Sequence, residues 1–261
     1  MHFRMVICPD CELCYASPTP HLSWFQREYI DADFDAANES CYAAKTYARC
    51  LSRNVDSLTT LDGALDIGTG DGAFLVELLN HGLTKVQGVE PSKAPIQCAN
   101  KAVASLIHHS FFKPEMFASE SFNLISCFQT LEHLDNPQKL FKAVHGLLRP
   151  GGCFFIVAHN YTSFSAKVLR GKSPIFDIEH LQLLSPASAS TLYKNAGFTD
   201  VRIIHLFNRY PLSYWLRLAP FGEKFKKGVD NLCKTFGIST LSVGLPAGNI
   251  AAIGYKPTIS T

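Results

Sequence analysis

The spacing of apolar residues changes character near residue 63. Ahead of it, Tyr42, Ala43, Tyr47, Cys50 and Leu51 recur at helical intervals, which predicts a helix from about Glu39 to Leu58. Residues 21–60 as a whole read as helical, with Trp24, Phe25 and Tyr29 in an earlier segment. Beyond Gly63, short apolar runs alternate with amphipathic stretches. Residues 64–67 (ALDI) predict a strand, 72–82 a helix closed by Gly82, and 85–90 a second strand. A helix is expected around Lys93–Ser105, then short strands at 106–109 and 122–127. The stretch 137–148 reads as a helix capped by Asp135 or Asn136, with Pro137 in its first turn. RPGG (149–152) predicts a turn into an apolar strand at 153–160. Ser185-Pro186 opens another helix that Ala196-Gly197 closes, and 201–207 and 249–255 read as the last two strands. Such alternation implies an α/β fold with a mostly parallel sheet covered on both faces.

The order of these patterns divides the chain into a Cys- and Pro-rich head (1–20), a helical cap (21–60) and a main α/β domain (61–261). No internal repeat or low-complexity tract is present. The 261 residues are 47% hydrophobic and 18% charged, enough to bury a full core. A net charge of +2 does not mark a nucleic-acid binder. No run of 18 apolar residues occurs, and the opening MHFRMVICPDCELC lacks an apolar signal core, so neither a membrane span nor classical secretion is expected. Nine cysteines, an odd number, suit reduced thiols and a cytoplasmic location.

The candidate chemistry centres on Asp66-Ile67-Gly68-Thr69-Gly70-Asp71-Gly72, at a strand end that opens a helix. Glycines at 68, 70 and 72 allow a tight turn and close approach of backbone to a ligand. Glu90 ends the next strand, where a carboxylate accepts hydrogen bonds from ribose hydroxyls. Two adenosine cofactors compete for such a loop. The dinucleotide pattern is G-x-G-x-x-G and presents a helix N-terminus to pyrophosphate. Here the spacing is G-x-G-x-G, and the carboxylate of Asp66 suits the ammonium of a phosphate-free cation such as S-adenosyl-L-methionine.

At these residues the chain resembles the class I S-adenosylmethionine-dependent methyltransferases. ALDIGTGDG (64–72) is similar to the family's first motif and GVEPS (88–92) to its second. FNLISCFQTLEHLDNP (122–137), LLRPGGCFFIVAHN (147–160) and EHLQLLSPASASTLYKNAGF (179–198) resemble later motifs in the family's order. The resemblance covers about residues 40–205 and the final strand. It implies a Rossmann-like seven-stranded sheet whose seventh strand inserts antiparallel between the fifth and sixth. It also implies that Gly68, Gly70 and Gly72 line the methionine and ribose, that Asp66 holds the amino group and Glu90 the ribose, and that Cys127, Phe128 and Gln129 pass beside the methionine. Phe111 and Phe112 suit apolar walls for adenine and read equally well as core residues.

Three positions depart from the family pattern. His109-Ser110-Phe111 carries no acid for the adenine amino group, leaving that contact to backbone carbonyls or Ser110. Asn123 replaces an aspartate, and His159 stands where related sequences often have proline.

Methyl transfer from a sulfonium needs orientation more than acid–base chemistry, and a base only where the acceptor must lose a proton. The candidate bases are His133 and His180, with Asn160 and Tyr161 as substrate contacts on the same rim. His108-His109 reads as a strand end, since no third metal ligand accompanies it. In the head, Cys8-x-x-Cys11 followed by Cys14 resembles half of a zinc ribbon found before some of these domains. The partner pair normally precedes it and only seven residues do here: either the chain starts late, the ribbon has decayed, or Cys14, Cys41 or His21 completes a different site, and since structural zinc needs four ligands no metal is expected.

An insertion, Arg209–Ala247, carries Tyr210, Tyr214, Trp215, Leu216, Phe221, Phe225 and Phe236, with six basic residues against two acidic ones. One reading is an amphipathic lid for a membrane surface or a lipid-like acceptor. The favoured reading is a helical cap over the active site, because the basic residues do not form one block. The sequence thus points to methylation of a small molecule at oxygen or nitrogen, without nucleic acid as partner, and sets no oligomeric state. The rivals are an NAD(P)-dependent oxidoreductase and a non-catalytic binding module.

Overall fold

The computed structural model describes residues 3–20, 37–218, 222, 228–229, 233, 235, 238 and 241–258. At the head, β1 (Met5–Ile7) and β2 (Cys14–Ala16) form an antiparallel hairpin. The main domain follows with β3 (Ala64–Ile67), β4 (Val86–Glu90), β5 (Ile107–His109), β6 (Phe122–Phe128) and β7 (Leu148–His159). After these come β8 (Gln182–Leu183), β9 (Thr199–His205), β10 (Asn208–Pro211), β11 (Ser242–Leu245) and β12 (Asn249–Tyr255). The helices are α1 (Ala37–Ser52), α2 (Ala73–Asn80), α3 (Lys93–Gln97), α4 (Pro137–Leu147), α5 (Phe164–Leu169), α6 (Pro186–Asn195) and α7 (Leu212–Leu218).

Seven strands build one sheet in the order β5-β4-β3-β6-β7-β12-β9. The pairs from β5 to β7 are parallel, and β12 runs antiparallel to both β7 and β9. The fold is therefore Rossmann-like α/β with its last strand reversed. Reversal of order at β3, with β4 on one side and β6 on the other, leaves a crevice at the carboxyl ends of these strands.

Alternation along β7 explains its unbroken apolar run. Phe154, Ile156 and Ala158 pack with α4 and α6 on one face, while Cys153, Phe155 and Val157 pack with α1 and α2 on the other. The head hairpin adds β8 to make a three-stranded sheet, and β10 pairs β11 beside α1. No helix among the described residues is long and apolar enough to cross a membrane.

Several boundaries differ from the expected ones. The helix expected over Lys93–Ser105 stops at Gln97 and resumes as a 3-10 turn at Ala104–Leu106. Asn100 takes the intervening backbone: its side chain accepts from Ala102 N and its carbonyl from Val103 N. The expected helix 39–58 ends at Ser52, with a separate 3-10 turn at Leu58–Leu61. RPGG is no separate turn but a bulge within β7, since Phe122 pairs Leu148 and Leu124 pairs Cys153. Trp24, Phe25 and Tyr29, and part of the insertion including Phe221, Phe225 and Phe236, lie outside the described residues.

Candidate functional site

The three loop glycines all have left-handed backbone, with φ of +74° at Gly68, +58° at Gly70 and +73° at Gly72. Their surroundings separate them. A side chain at Gly68 would strike Thr130, and one at Gly72 would meet Val103 and Ile107, so both are needed for packing. At Gly70 a side chain would point into space with nothing within 4 Å. Only there does the missing Cβ leave room for another molecule.

Two carboxylates flank this opening at the ends of β3 and β4. Asp66 is 2% exposed and accepts a 2.6 Å hydrogen bond from Ser126 Oγ. Burial pushes its carboxyl up to about 7; the nearby charge of Glu90 adds to the shift and the Ser126 hydroxyl opposes it. Glu90 is likewise 2% exposed. Its Oε2 accepts from Gly70 N at 2.9 Å and its Oε1 from Ser92 N at 2.8 Å. Burial also raises the Glu90 carboxyl, against those two backbone bonds. Each Glu90 oxygen retains a lone pair for a further donor.

Gly68 borders two cavities. One, of about 250 Å³, lies under α1 and is lined by Ser40, Tyr47, Asp66, Gly70, Phe128 and Gln129. The other, of about 400 Å³, is lined by Val89, Pro91, Phe111, Phe112, Thr130 and His133, among others, and is chiefly apolar. Helix α1 is fixed over the loop through Ser40 Oγ, which donates to Asp71 Oδ2 at 2.6 Å, while Asp71 Oδ1 accepts from Ala73 N at the start of α2. Gln129 turns the chain at the rim with φ +47°, and its Nε2 donates to Tyr47 Oη at 3.2 Å.

Other residues singled out from the sequence stand differently. Cys127 lines neither cavity; its side chain is fully buried in the core, which pushes the thiol well up. Gly72 supports the loop from behind. Asn160 Oδ1 accepts from Thr162 N and Thr162 Oγ1, closing a turn, and Tyr161 Oη donates to Glu12 O in the head hairpin. Neither residue lines the two cavities. Ser110 Oγ donates to Phe111 O, and Asn123 Nδ2 to Asp62 O, a link between β6 and the turn before β3.

The histidines cluster. His133 borders the larger cavity, and its ring lies 5.3 Å from that of His180, which lies 5.0 Å from His159. Nδ1 of His133 faces Glu179 O at 2.8 Å and Nδ1 of His180 faces Ile175 O at 2.7 Å. A carbonyl can only accept, so Nδ1 carries the proton in both and Nε2 is the basic nitrogen of the neutral ring. Burial lowers the His133 imidazole from its ordinary value, against the opposing charge of Glu132.

Sequence reading passed over Glu132 itself. It is 1% exposed, its Oε1 accepts from His159 N at 2.6 Å, and its Oε2 has no hydrogen-bond partner among the described residues. Such an orphaned carboxylate oxygen is visible only once β6, β7 and the loop between them are assembled. In the head, Cys8, Cys11 and Cys14 are free thiols, and no group of three or more metal-ligating side chains forms among the described residues.

Comparison with known proteins agrees with this geometry. A sequence model of the Methyltransferase domain family matches residues 38–203. A ubiquinone biosynthesis O-methyltransferase of Coxiella burnetii is 27% identical over 178 residues, covering 61% of this chain and 76% of the relative. The namesake protein of Aeromonas salmonicida is 26% identical, covering 63% and 70%. Among solved structures, phosphoethanolamine N-methyltransferase 2 of Haemonchus contortus, in complex with S-adenosyl-L-methionine, superposes with a TM-score of 0.55 at 15% identity, covering 94% of this chain and 62% of its own. A SAM-dependent methyltransferase of Archaeoglobus fulgidus superposes at 0.52 with 16% identity, covering 91% and 100%.

Proposed function

The chain belongs to the Methyltransferase domain family, and from that premise we propose that it moves a methyl group from S-adenosylmethionine to the oxygen or nitrogen of a small molecule. What carries the reading is Gly70, open where a Cβ would stand, with its N–H held by the buried Glu90 carboxylate and the buried Asp66 lining the same cavity. That arrangement fits a cofactor with a cationic amino acid end and a ribose, and no phosphate. When bound, S-adenosylmethionine supplies a methyl group already activated by its sulfonium charge.

The residues divide the work. Asp66 holds the amino group in the smaller cavity, where Phe128 and Gln129 border the methionine chain. Gly68 and Gly70 keep the backbone low beneath it. Glu90 takes the ribose hydroxyls, and Phe111 and Phe112 with Pro91 wall the adenine in the larger cavity. His133 serves as base where the acceptor is a hydroxyl, with the ring of His180 packed behind it. Glu132, buried beside His133 and lining neither cavity, supports the rim through its bond from His159 N. Oxygen and nitrogen acceptors are both supported by the names of the relatives, one an O-methyltransferase and one an N-methyltransferase. A membrane or lipid-like acceptor reached through 209–247 has no such support; the start of that stretch, at Arg209 and Tyr210, packs on α1.

The test is a calorimetric titration with S-adenosylmethionine, S-adenosylhomocysteine and NAD, followed by transfer of labelled methyl to a panel of phenols and amines. Binding of the first two alone, then label in a panel member with release of S-adenosylhomocysteine, is the expected result. Tight NAD binding would replace the reading by the oxidoreductase alternative. Cofactor binding without transfer to any compound would leave a binding module.

A further inference from the structure

The head hairpin carries chemistry that methyl transfer does not use. Its turn is closed by Cys8 N donating to Leu13 O and Glu12 N donating to Cys8 O, both at 2.9 Å, with Glu12 at φ +59°. The bond from Glu12 N to Cys8 O closes one turn of chain around Cys8-Pro9-Asp10-Cys11, which sets the two cysteines three residues apart within a single turn. Both thiols are half-buried, whereas Cys14 faces the apolar cluster beneath the hairpin. Among the described residues no third metal-ligating side chain joins them, and the pair has the makings of a two-thiol centre.

We propose that Cys8 and Cys11 are a reversible dithiol–disulfide pair that exchanges with small-molecule disulfides of the glutathione type. The Cys8 thiolate attacks one sulfur of the disulfide and expels one thiolate, giving a mixed disulfide. The Cys11 thiolate then attacks the Cys8 sulfur and expels the second. The protein loses two electrons and two protons, and the small disulfide becomes two thiols. The backbone N–H bonds hold the Cys8 thiol below its usual value, which favours it as the attacking sulfur, and burial raises Cys11, which fits the resolving role. Cys14, which burial pushes up to about 11, stays out of the exchange.

The hairpin is built into the rim of the methyltransferase site, so its covalent state reaches that rim. Glu12, next to Cys11, accepts from Tyr161 Oη through its carbonyl at 2.9 Å and from Ser185 Oγ through its carboxylate at 3.1 Å. Ala16 N donates to Leu181 O, and Leu181 N donates in turn to Glu132 O at 2.7 Å.

The experiment equilibrates the full chain in graded mixtures of reduced and oxidised glutathione, quenches with acid, blocks free thiols and maps the cysteines by mass spectrometry. The peptide holding both cysteines should lose two hydrogens with a two-electron dependence on the mixture, and dithiothreitol should restore them. In Cys11→Ser, Cys8 should stop at the mixed disulfide with glutathione; in Cys8→Ser, Cys11 should react slowly. Exposed Cys41 and Cys98 are internal standards for simple glutathionylation. If Cys8 and Cys11 stay reduced while those two react, the proposal fails. Stoichiometric zinc that shields both thiols, in one chain or between two, overturns it as well.

Discussion

The backbone N–H of His159 donates to Glu132 Oε1 at 2.6 Å, tying the end of β7 to the loop after β6. A proline at position 159 would have no such proton to give. His159→Pro should lose about 1–3 kcal/mol of unfolding free energy relative to His159→Ala, which keeps the N–H and removes only the ring contact to Asn249. Urea midpoints decide it: equal values for the two variants would mean that the bond contributes nothing.

The loop glycines should separate into two kinds. Gly70→Ala places its methyl in open space, so the protein should fold, with a modest strain from positive φ, and bind S-adenosylmethionine at least tenfold more weakly. Gly72→Ala drives a methyl toward Val103 and Ile107, which should cost roughly 1–3 kcal/mol of stability and little affinity. Calorimetric titration and thermal melts on both variants give the crossed pattern, and the same loss in both would erase the distinction.

Much of this architecture is legible in the chain because its signals are local. The strands 64–67 and 249–255 coincide with β3 and β12, each an apolar run following a glycine turn, at Gly63 and Gly248. Ser185-Pro186 is legible for the same reason, since the Ser185 side chain accepts from Ser188 N as a cap. What the chain conceals depends on partners distant in sequence. Tyr161 reads as a substrate contact until the hairpin from the other end of the chain takes its hydroxyl. Cys127 adjoins the site in sequence, yet strand alternation turns it into the core. Glu132 is the converse: its value lies in a missing partner, which no sequence pattern displays.

Asp66 makes both stability and binding depend on pH. Its folded value, about 7, lies above that of an unfolded aspartate, about 3.9. Its contribution to stability is therefore complete below about 3.9 and is lost as pH rises through about 7. The ammonium of the cofactor favours the charged carboxylate, so binding near pH 6 should release a proton from Asp66. Calorimetry in buffers of different ionisation enthalpy measures that proton directly. Asp66→Asn should abolish the release, weaken binding and flatten the fall in melting temperature between pH 4 and 7. A proton count that is unchanged in Asp66→Asn would assign the linkage to another group.

The base is the remaining question, and two neighbours offer distinct answers. His133 carries its proton on Nδ1 toward Glu179 O, so Nε2 is the atom that would take a proton from a hydroxyl acceptor. Burial holds its imidazole below the ordinary value, which keeps it neutral and competent at pH 7 and places the acid limb of the rate profile below about 6.5. With a hydroxyl acceptor from the panel, His133→Ala should lower kcat by roughly 10²–10⁴-fold and erase that limb, while cofactor affinity stays intact. His180→Ala, whose ring stands behind His133, should have a smaller effect on kcat and leave the limb in place, because it removes a neighbour and not the base. Glu132→Gln keeps an oxygen for His159 N–H and removes a charge that raises the His133 imidazole, so it should move that limb to lower pH and leave kcat at its plateau nearly unchanged. If instead Glu132→Gln removes the limb and His133→Ala does not, the carboxylate is the base and the imidazole its support. A wild-type profile in all three variants would mean that positioning alone drives the transfer, or that the acceptor atom carries no proton to remove.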